Sequence, residues 1–498
     1  CRENRLVTTL EEALLRLLIA TTPHIELTIL GLKLFNLRLN WRFVMNFSRR
    51  SLIKLLGSLG FIGIPQMKKR YSLDSKNKNP LRVGKSMINK KFAPLDEVRV
   101  GVIGLGNRGS GHVGNLLDID KVKIVALCDK VKGKADRAAK RVTDKGHKKP
   151  RIYSNGESDF ENLCRQDDID IVYIATNWIW HAPMAICAME NGKHTALEVP
   201  MGTSIKECWD MVNISEKTQR FCVMLENCCY NYWEMMILNM VRKGEFGDLT
   251  HAECAYIHDL RELLFHDTYY EDHWRRKWYT QADGNFYPTH GLGPVAQYMN
   301  INYGDKFEYM VSMSSPEFGM SKWAKEKLPA GHPAKNEKYV RGDMNTSIIK
   351  TNKGKTIMLQ HDTVSPRPYS RINMVSGTKG TFCDYPARLY LDGQEGGHSW
   401  KKGSDLDPVK KQFEHPLWKK IGEIARKSGG HGGMDFVMNY RMMTSLLEGR
   451  KVDMDVYDGA AWSAPFPLSV LSVENGSEPA EFPDFTRGEW KTRGEFII

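Results

Sequence analysis

Short, nearly continuous apolar runs recur from Val98 onward, and the segments between them are helix-compatible. Val98–Ile103 and Val122–Leu127 come first; Asp170–Thr176, Lys193–Pro200 and Arg220–Glu226 follow. Runs with no polar face belong to strands covered on both sides. A helix-compatible stretch passes through His112–Leu117, and another follows Pro183 to about Asn191, where Gly192 ends it. Strands alternating with helices predict an α/β fold, with a doubly wound parallel sheet over residues 95–226. Past Asn227 the pattern changes. Thr250–Ile257, Tyr309–Ser314, Ser347–His361 and Ile372–Tyr385 are strand-like runs in a mixed region. They predict a second α/β domain over 227–498, built on a mostly antiparallel open sheet. The face of such a sheet is a common pairing surface, so a homodimer is a candidate assembly. Gly331–Gly342 and Gly393–Pro408 read as polar loops. No run of about 18 uncharged apolar residues occurs, which excludes a multi-span membrane protein.

Composition changes this picture only at the N-terminal side. The 498 residues are 41% hydrophobic and 26% charged, with a net charge of +12. Residues 1–97 carry 18 Lys/Arg against 7 Asp/Glu, whereas the other 401 carry 53 against 52. A polyanion-binding enzyme puts its charge on the folded body, so nucleic acid is not an expected partner. Ser48-Arg49-Arg50-Ser51-Leu52-Ile53-Lys54 resembles a twin-arginine export signal, with a short apolar region from Leu55 to Ile64 behind it. This predicts a signal peptide over 45–70, periplasmic export and no stable membrane insertion. Residues 1–44 fit poorly ahead of such a signal and read as upstream sequence preceding a start at Met45. Residues 71–94, rich in Lys and Asn as far as Lys91, read as a mobile linker. The ten cysteines form no C-x-x-C pair and read as buried free thiols. His266 and His273 flank carboxylates, but their spacing matches no zinc motif, and no metal is expected.

The first strand leads directly into Gly104-Leu105-Gly106-Asn107-Arg108-Gly109, and the second ends at Asp129. A lone G-x-G-x-x-G says little. Preceded by a strand, followed by a helix and completed by an acidic residue after the next strand, it is a dinucleotide fingerprint of the Rossmann type. Gly104, Gly106 and Gly109 let the backbone turn and approach a pyrophosphate, and the helix start around Asn107 and Arg108 offers amides. Asp129 would accept from ribose hydroxyls and repel a 2′-phosphate, which selects NAD over NADP. Ligands of such sheets lie at the carboxyl ends of the strands. That adds Trp178, Ile179, Trp180, His181, Glu198, Val199 and Asn227 as cofactor-side candidates.

The strand ending in Glu-x-Pro resembles the Gfo/Idh/MocA oxidoreductases, in which the middle residue is usually a lysine assisting proton transfer. Here it is Val199. Further strings resemble one branch, the NAD-dependent α-N-acetylgalactosaminidases of glycoside hydrolase family 109. They are Trp178-Ile-Trp-His181, Leu197-Glu-Val-Pro200, Glu226-Asn227 with Tyr230-Asn-Tyr-Trp233, and Gly284-Asn-Phe-Tyr-Pro-Thr-His-Gly-Leu-Gly-Pro294. The resemblance runs from about Val98 onward. It implies a hydrolase acting on glycans with terminal N-acetylgalactosamine and using NAD as a catalyst. Hydride leaves sugar carbon 3, the resulting ketone acidifies carbon 2, the aglycone is eliminated, water adds, and the hydride returns.

By the same resemblance, Tyr287 and His290 are the acid/base pair, with His290 favoured at carbon 3, and their spacing of three places them on one face of a helical turn. Tyr256, Arg275, Tyr287, Pro288, Thr289, His290 and Tyr369 are the implied sugar-binding set. Taken alone, Tyr287 reads as a half-buried core aromatic, and Arg275, in Trp274-Arg-Arg-Lys-Trp278, as part of a solvated basic face. His431 and Asp435 read equally as site residues or as a helix-start pair. An ordinary glycosidase needs two opposed carboxylates; Glu226, Glu253 and Asp259 are present, but no spacing marks a pair. A net sugar oxidoreductase and a non-catalytic NAD-dependent sugar sensor are the other readings of this chain.

Overall fold

The computed structural model describes residues 79–498 apart from 395, 396 and 497. The export-signal and upstream readings over 1–70 lie outside the described residues. Six strands build the first sheet: β1 (Val98–Ile103), β2 (Val122–Cys128), β3 (Arg151–Tyr153), β4 (Ile171–Ile174), β5 (His194–Leu197) and β6 (Cys222–Met224). All pair in parallel, in the order β3-β2-β1-β4-β5-β6. β4 and β5 are buried at every position, because helices cover both faces. The order reverses between β1 and β4, and a doubly wound sheet opens its ligand crevice at that point.

The glycine turn sits at this switch. Gly104 has φ +83°, and a Cβ on Gly109 would lie 1.8 Å from the Gly104 carbonyl oxygen. Only glycine there lets the helix Asn107–Leu117 start so close to β1.

The second sheet has nine strands: β7 (Leu249–Ile257), β8 (Phe307–Ser314), β9 (Met344–Thr351), β10 (Thr356–Asp362), β11 (Met374–Gly377), β12 (Gly380–Cys383), β13 (Arg388–Leu391), β14 (Lys401–Lys402) and β15 (Ala480–Glu481). Their order is β14-β13-β12-β11-β7-β10-β9-β8-β15, and of these pairings only β7 with β10 is parallel. Ser347–His361 and Ile372–Tyr385 each divide into two strands, broken at Asn352–Lys355 and at Thr378-Lys379. Met310, Ile349, Ile357, Leu359 and Val375 face the core, against the helices Thr289–Tyr298 and Pro465–Glu474. The opposite face leaves Tyr309, Met313 and Ile348 exposed. The stretch 331–342 is less of a surface loop than its polarity suggests, since Tyr339 and Arg341 are both buried. Among the described residues no helix is long and apolar enough to cross a membrane. The nine described cysteines are free thiols, eight of them buried.

The mobile-linker reading fails over residues 79–94. Met87 is buried and its amide donates to the Tyr457 hydroxyl at 3.0 Å. Ser86 donates to Glu489 at 2.6 Å, Arg82 pairs with Glu216 at 3.2 Å, and the Pro80 carbonyl accepts from Arg487 at 2.8 Å. The Lys- and Asn-rich composition suggests a solvated coil; a few anchoring side chains, meeting partners distant in sequence, tie it down instead.

Candidate active site

A cavity of about 910 Å³ opens at the carboxyl ends of β1, β4 and β5, with residues of the second domain forming its other wall. On the first-domain side it is lined by Gly104, Gly106, Asn107, Arg108 and Asp129, together with Trp178, Trp180, His181, Glu198, Val199 and Asn227. A Cβ on Gly106 would meet no atom within 4 Å, so this turn leaves open space just where helix amides face the cleft. Asp129 is nearly buried. One oxygen accepts from the Leu105 amide and the other from the Val131 amide, each at 2.8 Å. Each carboxylate oxygen keeps capacity for a further donor, as ribose recognition requires. The shape and donor set fit NAD.

Several neighbours hold this half in place. The Glu198 carboxylate accepts from Arg108 Nε and Nη2 at 2.9 and 2.7 Å and faces His112 Nε2 at 2.8 Å. Burial works to raise its pKa, but the Arg108 guanidinium more than offsets that and holds it far below the usual carboxylate range. Its carboxylate is thus engaged in positioning Arg108. His181 is fully buried, with Nδ1 2.8 Å from the Pro200 carbonyl and Nε2 3.2 Å from that of Thr176; it braces the ends of β4 and β5. Ile179, by contrast, is exposed and does not line the cavity, and Gly109 acts through packing alone.

The other half gathers Tyr256, Arg275, Tyr287, His290 and Tyr369 on the cavity wall. The expectation that Tyr287 and His290 share a helix face does not hold: Pro288 caps the helix Thr289–Tyr298, and Tyr287 precedes it. The two rings nevertheless meet edge-to-face, with centroids 4.8 Å apart. Pro288 and Thr289 are buried behind this wall and do not line the cavity. His290 Nδ1 lies 2.7 and 3.0 Å from the two oxygens of Glu226, a carboxylate with no exposure. Burial tends to raise Glu226, while His290 beside it prevails and holds it below the usual carboxylate range. Cys228 also approaches this pair, but burial pushes its thiol far up, away from the thiolate a metal would need.

Arg275 is buried, contrary to its reading as part of a solvated face. Its guanidinium lies 4.8 Å from the Tyr287 ring centroid, 5.3 Å from Trp178, 5.4 Å from Tyr270 and 5.9 Å from Tyr256. Nη1 donates to the Tyr270 hydroxyl at 3.0 Å, while Nε and Nη2 are buried without an acceptor in hydrogen-bond geometry among the described residues. A buried guanidinium with free donors is costly unless a ligand supplies acceptors. Burial raises the Tyr287 hydroxyl well above tyrosine's ordinary value, with Tyr256 and Glu198 adding to it and Arg275 pulling the other way. Tyr369 accepts from Arg371 Nη1 at 2.8 Å, and Arg371 is anchored by Glu234 at 2.5 Å.

Sequence reasoning leaves Arg371, Glu234 and Tyr270 unmarked and reads Glu226 only as a carboxylate without a partner. Glu226 stands in the string Glu226-Asn227, but its partner is 64 residues away. Asp435 and His431 do line the cavity and face each other at 2.8 Å.

Comparison with known proteins agrees with this arrangement. Residues 98–226 match the family model described as "Oxidoreductase family, NAD-binding Rossmann fold". Residues 230–492 match "Glycosyl hydrolase 109, C-terminal domain". A glycosyl hydrolase family 109 protein of Solibacter usitatus is 50% identical over 448 residues, covering 90% of this chain and 98% of that one. One from Saccharopolyspora erythraea is 47% identical over 449 residues, covering 90% and 95%. Among solved structures, levoglucosan dehydrogenase in complex with NADH and levoglucosan is similar, with a TM-score of 0.59 at 16% identity over 78% of this chain and 100% of that one. The WlbA dehydrogenase from Bordetella pertussis, in complex with NADH and UDP-GlcNAcA, has a TM-score of 0.56 at 15% identity over 78% and 99%.

Proposed function

Because the chain belongs to glycosyl hydrolase family 109 and is an NAD-dependent, sugar-acting enzyme, we propose that it releases terminal α-linked N-acetylgalactosamine from glycans, with NAD as an internal catalyst. The observation that carries this reading is the buried Glu226–His290 pair beside Tyr287, with apolar Val199 where a proton-transferring lysine would otherwise stand. Bound NAD supplies reversible oxidation at sugar carbon 3. His290, its Nδ1 held by Glu226, keeps Nε2 free to take the carbon-3 hydroxyl proton, and the Glu226 carboxylate stabilises the imidazolium that results. Tyr287 handles the carbon-2 proton. Its phenolate is disfavoured by burial, and the Arg275 charge beside its ring offsets part of that effect. Arg275 also offers two donors to acceptors on the sugar.

The test is hydrolysis of para-nitrophenyl α-N-acetylgalactosaminide while absorbance follows NADH. Nitrophenol released without stoichiometric NADH, and lost in His290→Ala, is the expected outcome. NADH accumulating without aglycone release would instead make the protein a net sugar oxidoreductase. The reading extends to export by the twin-arginine route, supported by Arg49-Arg50; Arg49→Lys with Arg50→Lys should retain the protein in the cytoplasm. It also extends to pairing of two copies through the open face around Tyr309, Met313 and Ile348, supported by the exposed apolar side chains there.

A further inference from the structure

The helix Met434–Leu447 belongs to the second domain, yet it packs along Asn107–Leu117, the helix that opens the dinucleotide site. Two polar rungs join them. Asp435 Oδ2 accepts from Arg108 Nη1 at 2.8 Å; one turn along both helices, Asn439 Nδ2 lies 3.2 Å from His112 Nδ1. The first rung is the unusual one. Asp435 is only 4% exposed, and its other oxygen accepts from Asn227 Nδ2 at 2.5 Å. Oδ2 also faces His431 Nδ1 at 2.8 Å. One buried carboxylate thus spans the helix after the glycine turn, the helical turn Asn227–Tyr230 that follows β6, and the turn that precedes its own helix. The close approach is built into that turn: a Cβ on Gly430 would sit 2.7 Å from Asp435 Oδ2, and Gly429, Gly430, Gly432 and Gly433 all have positive φ.

Arg108 and Asn227 both line the cofactor side of the cavity, and this one group holds both, Arg108 from across the cleft and Asn227 from within the second domain. Glu198 holds the remainder of the Arg108 guanidinium from within the first domain. Without Asp435, Nη1 of Arg108 and the Asn227 amide lose their shared acceptor, and Glu198 is left as the carboxylate that holds Arg108. Because Asp435 comes from the second domain, any opening that separates the helices to release the dinucleotide must first break its bond to Arg108. We propose that Asp435 is a positioning residue for the cofactor: it fixes Arg108 from across the cleft, together with Asn227 beside it, and so sets how long NAD remains bound.

The experiment uses full-length holoenzyme and follows dissociation of bound NAD by exchange with isotopically labelled NAD, read by mass, with thermal melting measured on the same samples. Asp435→Asn and Asp435→Ser are both prepared, so that one folded variant suffices. Asn439→Ala removes the other rung and touches neither Arg108 nor Asn227. Release on the order of ten- to a hundredfold faster in the Asp435 variants is expected, the scale of one or two charge-assisted hydrogen bonds. Asn439→Ala should release NAD at the wild-type rate whatever its melting temperature. An unchanged release rate in a folded Asp435 variant overturns the proposal. Equal acceleration in Asn439→Ala overturns it too, because helix packing in general would then be responsible. None of these readouts depends on which sugar is hydrolysed.

Discussion

Replacing Glu226 by Gln removes one charge from the site and almost nothing else. The glutamine has the same shape, and its carbonyl can still accept from His290 Nδ1 and from the Cys228 amide, which now reach the carboxylate at 2.7 and 3.1 Å. What is lost is the counter-charge for the imidazolium formed when His290 takes a proton. A hydrogen bond to a charged partner is worth about 1.5–3 kcal/mol, and each 1.36 kcal/mol is a factor of about ten in rate. The expected fall in kcat is therefore about 10- to 150-fold, with KM little changed, because Glu226 lies behind His290 and not on the cavity wall. Stability gives an independent check with a definite sign. His290 depresses the folded-state pKa of Glu226 against the effect of burial. Its contribution is therefore present above the ordinary carboxylate range and lost as pH falls through the depressed value. Wild type and Glu226→Gln should differ in Tm at pH 7 and converge in acid. Steady-state hydrolysis of para-nitrophenyl α-N-acetylgalactosaminide at saturating NAD decides the matter. A kcat within about threefold of wild type would refute a proton-transfer role for the pair.

Other outcomes follow from the same geometry. Arg275→Met should raise KM and also lower kcat, because Tyr287 loses the cation that opposes its burial; steady-state kinetics with Arg275→Lys as the partial rescue checks both effects. Burial raises the Asp384 carboxyl to about 6, so the folded protein carries a penalty that grows from about pH 4 to pH 6 and then levels off. Asp384→Asn should therefore stabilise the fold at pH 8 by an amount on the order of 1–3 kcal/mol, seen as a raised Tm, and leave Tm unchanged near pH 4. Met87→Ala should cost about 2–4 kcal/mol by opening a cavity under the N-terminal segment, measurable by urea denaturation. Met313→Lys on the open sheet face should shift sedimentation toward a monomer without changing Tm greatly.

What was legible in the sequence was what neighbouring residues decide together. β1, the glycine turn and Asp129 lie within one stretch of chain, so their order alone announced the cofactor half. Tyr287 and His290 were likewise found through one short string, although Pro288 as the cap puts Tyr287 ahead of the helix instead of on it. Arg275 shows where local reading ends. Within Trp274-Arg-Arg-Lys-Trp278 nothing separates it from the more solvated Lys277; Trp178, Tyr256 and Tyr287, arriving from three other places in the chain, are what enclose it. Glu226 was visible as a carboxylate, but its pairing with His290 depends on how the end of the first domain meets the helix Thr289–Tyr298. Residues 79–94 misled in the opposite direction, because polar composition measures average solvation and is blind to a single buried methionine.

That N-terminal segment carries a consequence for the order in which the molecule is completed. Pro80, Arg82 and Ser86 are among the earliest of the described residues to be synthesised, and they bond to Arg487 and Glu489, some 400 residues later. Contacts of such separation close only after the chain between them exists. The parallel sheet can assemble while synthesis continues, but the strap ahead of β1 has no Arg487 or Glu489 to grasp until nearly the whole body has been made. This early segment is thus among the last to complete its docking. The bond between Arg82 and Glu216 can form earlier, but docking of this strap is complete only when the body behind it has been made.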